Sequence, residues 1–372
     1  MPWQGVTVYP YRLYAQPVAG QHPWLEDMQS KVLRGQACFE ALCAMRDQGF
    51  TPDVVVAHPG WGESLFVRDV WPHARLLMYG EYFYRAVGAD IGFDPEFATG
   101  ATAEAACKLR LRNANHLLHL EAADAVLSPT QWQADTFPTI YRHKTHVIHD
   151  GIDTAALAQW PERPLHLSIG VALHAGEELV TYVSRNLEPY RGYHVFMRAL
   201  PALLRERPKA RVVLVGGDRV SYGAPAPVGR SWKQIFWDEV RPQLIAEDRA
   251  RVHFVGKLPY PQFLALLRLS AVHVYLTYPF VLSWSLLEAM ALGRAVVASD
   301  TAPVREVITQ DVNGRLVDFF DARALAAEVA GLLAQPTERV RLGQNAARHV
   351  AQRYDLHSVC LPAQMALLQA LA

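Results

Sequence analysis

Arg185 and Arg191 stand on either side of a short loop, RNLEPYRG, that ends at Gly192 just before a helical pattern. Two guanidiniums beside a helix N-terminus make a diphosphate site, because fixed charge and unpaired N–H groups both favour an anion. A second segment, RVVLVGGD, follows a strand with Gly216 and Gly217, where a chain without Cβ atoms lets backbone approach a ligand closely. A third, RVHFVGKLPYPQF, turns at Gly256, Lys257 and Leu258, a loop that could flank a base or simply belong to a plain βαβ unit. In the fourth, PFVLSWSLLEAMALG, a loop containing Phe280, Leu282, Ser283, Trp284 and Ser285 runs into a helix bearing Glu288. A carboxylate there, facing a crevice, accepts both hydroxyls of a ribose.

Such groups need elements that bring them together. Short runs of branched apolar residues at Val54 to Ala57, Arg75 to Met78, Ala125 to Ser128, Thr145 to His149, Val180 to Ser184, Arg211 to Val215, Val272 to Leu276 and Ala295 to Ser299 alternate with helical patterns. That rhythm predicts an α/β fold with parallel sheets and crossover helices, whose ligands gather at the carboxyl ends of the strands. With 372 residues, two cores are expected. The rhythm lapses over WPERPLHLSIGVALHAGEE, read as a linker, so the domains are expected at 1–160 and 161–345, with 346–372 as helices returning to the first.

Lys plus Arg and Asp plus Glu both number 36, which leaves no field to hold nucleic acid. The apolar stretch Ala271 to Trp284 is broken by His273, Thr277 and Pro279, so no membrane span is expected, although peripheral contact stays open. The opening MPWQGVTVYPYR lacks the regions of a secretory signal, and Cys38, Cys43, Cys107 and Cys360 are too scattered for a disulfide framework; both point to the cytoplasm. No Asp-x-Asp pair for a divalent ion stands out and no cofactor is implied. No G-x-G-x-x-G follows a predicted strand, which leaves a dinucleotide oxidoreductase unsupported.

From Pro52 onward these segments resemble glycosyltransferase family 4 of the GT-B fold. The resemblance implies two Rossmann-like domains facing a central cleft, and a final helix near Pro362 to Leu371 that crosses back to the first. It implies a retaining, metal-independent transfer of sugar from a nucleotide-diphosphate donor to an acceptor hydroxyl on a glycan, lipid or small molecule. Arg185, Arg191 and Gly192 match the family's diphosphate loop, and Glu288 matches the ribose-binding glutamate of its Glu-x7-Glu motif. Phe280 stands where the family's first glutamate contacts the transferred sugar. That departure keeps open a catalytically impaired nucleotide-sugar or glycan-binding protein.

In the first half, PDVVVAHPGWGES puts His58 at a strand end, to touch sugar or to cap the next helix, and RLLMYGEYFYR ends a strand at Glu81, a candidate to orient the acceptor hydroxyl or act as base. Ser128 could donate to ligand and Thr130 cap a helix; Trp61, Tyr82, Tyr84 and Trp132 are rings able to stack on sugar or fill a core. Family members open with a strand, a glycine-rich loop, a helix and a second strand, whereas GVTVYPYRL looks like the third strand. The first domain is therefore expected to be truncated, with a reduced sheet.

Overall fold

The computed structural model describes residues 5–13, 20–98 and 102–372. They fall into two compact units: Met1–Gly92 with Ala98–His149 and Pro362–Ala372, and Phe93–Phe97 with Asp150–Leu361. The junction at His149/Asp150 precedes the expected residue 160. The return begins at Pro362 and not at 346, because the helix Pro336–Arg353 seals the second core with Leu342, Ala346 and Val350.

The first unit holds a parallel four-stranded sheet in the order β1 (Val54–Ala57), β2 (Arg75–Tyr79), β3 (Ala125–Ser128), β4 (Thr145–Val147). The helices Glu26–Asp47 and Ala103–Ala122 belong to it. Val67, Val70, Trp71, Leu76, Met78, Leu120 and Val126 form its main cluster. A smaller cluster, Leu77, Ala125, Leu127 and Leu367, binds the final helix Leu361–Leu371 to the same unit. Val6 to Leu13 form no strand, contrary to the expectation for GVTVYPYRL. With Val6, Val8 and Tyr9 exposed, this segment gains neither a ladder partner nor burial.

In the second unit the expected linker contains a small antiparallel hairpin, β5 (Leu165–His166) with β6 (Ala172–Leu173). Its Leu165, Leu167 and Leu173 are buried, which accounts for structure where the sequence pattern showed none. The main sheet is six-stranded and all parallel, in the order β12-β11-β10-β7-β8-β9. Here β7 is Leu179–Asn186, β8 Arg211–Gly217, β9 Val252–Phe254, β10 Val272–Tyr275, β11 Ala295–Ser299 and β12 Arg315–Val317. The central strands are apolar on both faces, as helices packed on both sides require: all four residues of β10 and all five of β11 are buried. The chain winds outward from β7 to β9 on one side and from β10 to β12 on the other. The winding therefore reverses between β7 and β10, and the carboxyl ends of strands at such a reversal are where open parallel sheets take their ligands.

Candidate donor-binding site

β7 is buried from Leu179 to Tyr182 and emerges at Val183, Ser184 and the exposed Arg185. Its register against β8 slips between Val183 and Asn186, whose partners are Val215 and Gly217. Three steps along β7 thus answer two along β8, a bulge that re-aims the Arg185 side chain at the strand's open end. Arg185 forms no ion pair among the described residues, and its guanidinium lies 5.8 Å from the ring of Tyr222.

Arg191 sits opposite and is held differently. It is buried, and its Nη1 donates to Thr277 Oγ1 at 2.7 Å, to the Val281 carbonyl at 3.0 Å and to Tyr275 Oη at 3.3 Å. Its guanidinium is 5.0 Å from the Tyr222 ring and 5.8 Å from that of Phe280. Burial opposes the charge, but the surrounding Tyr275, Tyr222 and Tyr190 outweigh it and keep the guanidinium above its ordinary pKa. The two arginines therefore converge on one aromatic ring, at the winding reversal. Immediately after Arg191, Gly192 has φ +69° and starts the helix Tyr193–Glu206. A Cβ there would strike Leu276, so glycine is required for both backbone and space. The positive end of that helix adds to the field of the arginines.

Two residues not singled out in the sequence organise this corner. Glu188 is fully buried, and its carboxylate accepts the backbone N–H groups of Ser221, Tyr222 and Gly223 at 3.0 to 3.3 Å. It thereby fixes the loop that carries Tyr222. A glutamate and a tyrosine in polar loops carry no periodic or spacing signal, so only the fold reveals the pair.

Gly216 and Gly217 serve a different purpose from the expected one. A Cβ on Gly216 would meet Leu187 at 2.9 Å, and one on Gly217 would meet Asn186 Oδ1 at 2.5 Å and Lys257 Cε at 3.0 Å. The close approach is made by the protein's own side chains, which lets the β7 bulge lie against β8. The second contact brings Lys257, an exposed cation, to the open end of β8. Gly256 supplies a turn at φ +66° with open space around it, while Leu258 packs against an apolar cluster and turns away from a ligand role.

Phe280 is buried, edge-on to Tyr190 at 5.1 Å and tilted against Tyr222 at 5.1 Å, and so completes an aromatic wall around Arg191. Leu282 belongs to the core. The Ser283 N–H donates to Tyr275 Oη at 2.8 Å, and Ser283 Oγ caps the helix Trp284–Ala291. Ser285 Oγ lies 3.0 Å from Ser283 Oγ, and Trp284 is exposed with its indole N–H on Asp150 at 3.2 Å. One turn further, buried Glu288 accepts the Tyr260 hydroxyl at 2.8 Å. Burial pushes its carboxyl pKa up, and the Tyr260 bond offsets part of that rise. Val281 and Ser283 thus tie the loop leading to the Glu288 helix to Arg191 and Tyr275 respectively.

The first unit carries a separate polar corner. His58 Nδ1 accepts the Gly60 N–H at 3.0 Å, which leaves the proton on Nε2, 3.5 Å from a Glu81 carboxylate oxygen. Both residues line a cavity of about 70 Å³ together with Tyr84, Arg112 and His116. His116 is held neutral, its pKa lowered to about 3 by burial. His58 therefore caps the turn Pro59–Trp61, the structural role weighed for it, with Glu81 beside its free ring nitrogen. Its ring stacks on exposed Trp61 at 4.9 Å, whereas Tyr82 is buried and stacks on Trp132. Ser128 is fully buried, and Thr130 caps the next helix as expected.

Residues 1–157 match the glycosyl transferase family 4 group and residues 170–349 match glycosyl transferases group 1. The chain belongs to the family 4 glycosyltransferases. It is 28% identical over 208 residues to D-inositol 3-phosphate glycosyltransferase of Corynebacterium efficiens, covering 55% of this chain and 46% of the relative. It is 30% identical over 214 residues to phosphatidyl-myo-inositol mannosyltransferase of Mycolicibacterium smegmatis, covering 56% and 47%. The chain thus spans about half the length of these curated relatives. Its fold is similar to that of sucrose-phosphate synthase from Thermosynechococcus elongatus (TM-score 0.66, 21% identity, 96% of this chain and 82% of that one). It is also similar to Anabaena HepE in complex with UDP (TM-score 0.64, 20% identity, 94% and 84%). The GT-B expectation for the fold stands. Among the described residues no helix is long and apolar enough to cross a membrane.

Proposed function

We propose that this family 4 chain is a retaining, metal-independent glycosyltransferase that moves a sugar from a nucleotide-diphosphate donor to an acceptor hydroxyl and uses no cofactor. The observation that carries the reading is the convergence of Arg185 and Arg191 on Tyr222 beside the helix that starts after Gly192. In the transfer, the glycosidic bond to the diphosphate breaks and its electrons pass to the leaving oxygen. Preorganised cations around that oxygen lower the barrier because they need no reorganisation as charge develops. Arg185 and Lys257 are free to meet the phosphates, and Arg191 with the helix dipole holds the potential positive behind them. The same cluster disfavours a divalent ion at this position, which supports catalysis without metal. Glu288 accepts the ribose hydroxyls. The acceptor hydroxyl is assigned to the His58–Glu81 corner, where a Glu81 carboxylate oxygen 3.5 Å from His58 Nε2 would receive its proton.

The cytoplasm is the proposed location, supported by four free cysteines. UDP is a suitable first probe, since HepE has been solved with UDP and with UDP-glucose. Titration with UDP, GDP and ADP should show saturable binding, and Arg185→Ala should weaken it by roughly a hundredfold if one charge-assisted contact is lost. Unchanged affinity in that variant overturns the assignment.

One observation favours a second reading, a nucleotide-sugar or glycan-binding protein without turnover. Phe280 fills the place of the family's sugar-contacting glutamate with an apolar ring packed on Tyr190 and Tyr222. Nucleotide binding without release of nucleoside diphosphate from any sugar donor, across a panel of acceptors, would establish it.

A further inference from the structure

Phe93–Phe97, sequence FDPEF, lies within the first half of the chain yet packs as part of the second unit. Phe93 contacts the rings of Tyr278, Phe319 and Phe320, and Phe97 those of His194, Trp232 and Phe236. Between these two anchors Asp94 is buried. Its Oδ2 accepts the Tyr278 hydroxyl at 2.8 Å and lies 3.0 Å from His194 Nε2, while Oδ1 accepts the Glu96 N–H at 3.0 Å. A buried carboxylate with this many donors is held in one geometry, because its desolvation has to be offset bond by bond.

The two donors that converge on Asp94 come from the two segments that seat Arg191. Tyr278 follows Thr277, which accepts from the Arg191 guanidinium, and the Tyr278 N–H donates to the Tyr190 carbonyl at 3.1 Å. The Tyr278 and Tyr190 rings are 4.8 Å apart. His194 lies in the first turn of the helix that starts after Gly192. Glu96, nearby, is not available to a metal ion: Arg198 takes its two oxygens at 2.6 and 2.7 Å. That excludes reading Asp94, Glu96 and His194 as a cation site, although their ligand atoms lie within 4.8 Å of one another.

We propose that Asp94 is a positioning residue for donor binding: by holding the Tyr278 hydroxyl and the His194 imidazole together, it fixes the bed of Arg191 and so sets affinity for the diphosphate. The role rests on the donor site assigned above. It acts on the phosphates and not on the nucleoside, because Tyr278 and His194, the groups it holds, belong to the two segments that seat Arg191.

The test uses the full chain with UDP and uridine as probes, in titration calorimetry or ligand-observed NMR. Asp94→Asn and Tyr278→Phe should each weaken UDP about tenfold, the scale of one hydrogen bond to a charged group, and leave uridine unchanged. Tyr278→Phe removes a single oxygen from an otherwise retained ring, so it serves as the folded comparison. The double variant should be no weaker than Asp94→Asn alone, since both act through one bond. Unchanged UDP affinity overturns the proposal, as does a parallel loss of UDP and uridine, which would mark a merely structural residue. Arg185→Ala separates the two levels. If it weakens UDP binding while Asp94→Asn leaves UDP affinity unchanged, the positioning role fails alone; if it leaves UDP binding intact, the donor site itself fails.

Discussion

Arg185 and Arg191 match the same sequence pattern, yet their surroundings divide the work between them. Arg185 is exposed and unpaired, so its charge is available to a ligand, whereas Arg191 spends its hydrogen bonds on Thr277, Val281 and Tyr275 and acts as a fixed positive potential. Glu288 illustrates the opposite cost. Its carboxyl pKa is raised in the fold, so between the ordinary carboxylate value and that raised value the folded protein holds more protons than the unfolded chain. Stability contributed there is present at lower pH and is lost as pH rises through the folded pKa. Glu288→Gln removes a desolvated charge, and the variant should melt higher than the parent at neutral pH, with the difference vanishing towards acid. The same change should weaken nucleotide binding roughly tenfold, the value of an ionic acceptor to a ribose hydroxyl. Melting curves across pH and a titration with UDP check both signs, and a lower melting temperature at neutral pH contradicts the account. Residue type and spacing made Arg185, Arg191 and Glu288 legible in the sequence. What no spacing reveals is burial, and so Glu188, Tyr222 and Asp94 were invisible: each is an ordinary polar or aromatic loop residue until three amides, two arginines or a buried histidine surround it.

At the scale of elements, apolar runs mark the strands because an all-parallel sheet covered on both faces has no polar alternation to confuse. The exceptions are instructive. GVTVYPYRL has the composition of a strand but no ladder partner among the described residues, and a strand is a property of two segments. The β5–β6 hairpin is the converse, two residues on each side held by burial and too short for any pattern. The β7 bulge and the Gly192 turn are the irregular features that bring Arg185 and Arg191 to the Tyr222 ring. Gly192→Ala forces a side chain into positive φ and against Leu276, so it should cost about 1–3 kcal/mol of stability and displace Arg191 with it. Loss of UDP affinity should therefore accompany a lower denaturation midpoint. An alanine variant that melts and binds like the parent would show that the turn relaxes without consequence.

At the scale of the molecule, the chain's last helix belongs to the first unit although every residue from Asp150 to Leu361 before it builds the second. Leu367 is buried with Leu77, Ala125 and Leu127, Leu368 and Leu371 pack beside it, and Gln364 donates to the His149 carbonyl at 2.9 Å. The helix covers one face of β2 and β3, so removing Pro362–Ala372 exposes that face to water. Each buried leucine contributes about 1.5–3 kcal/mol, and the first unit should lose on the order of several kcal/mol. The second unit keeps all of its strands, Arg185, Arg191 and Glu288, and its nucleotide binding should survive at the parent's affinity. Hydrogen exchange would then show faster exchange at Leu77 and Leu127 with Val213 and Val297 unchanged, while UDP still binds. Equal acceleration in both sheets would mean that the two cores share a single unfolding transition, so that the last helix stabilises the whole chain and not one unit.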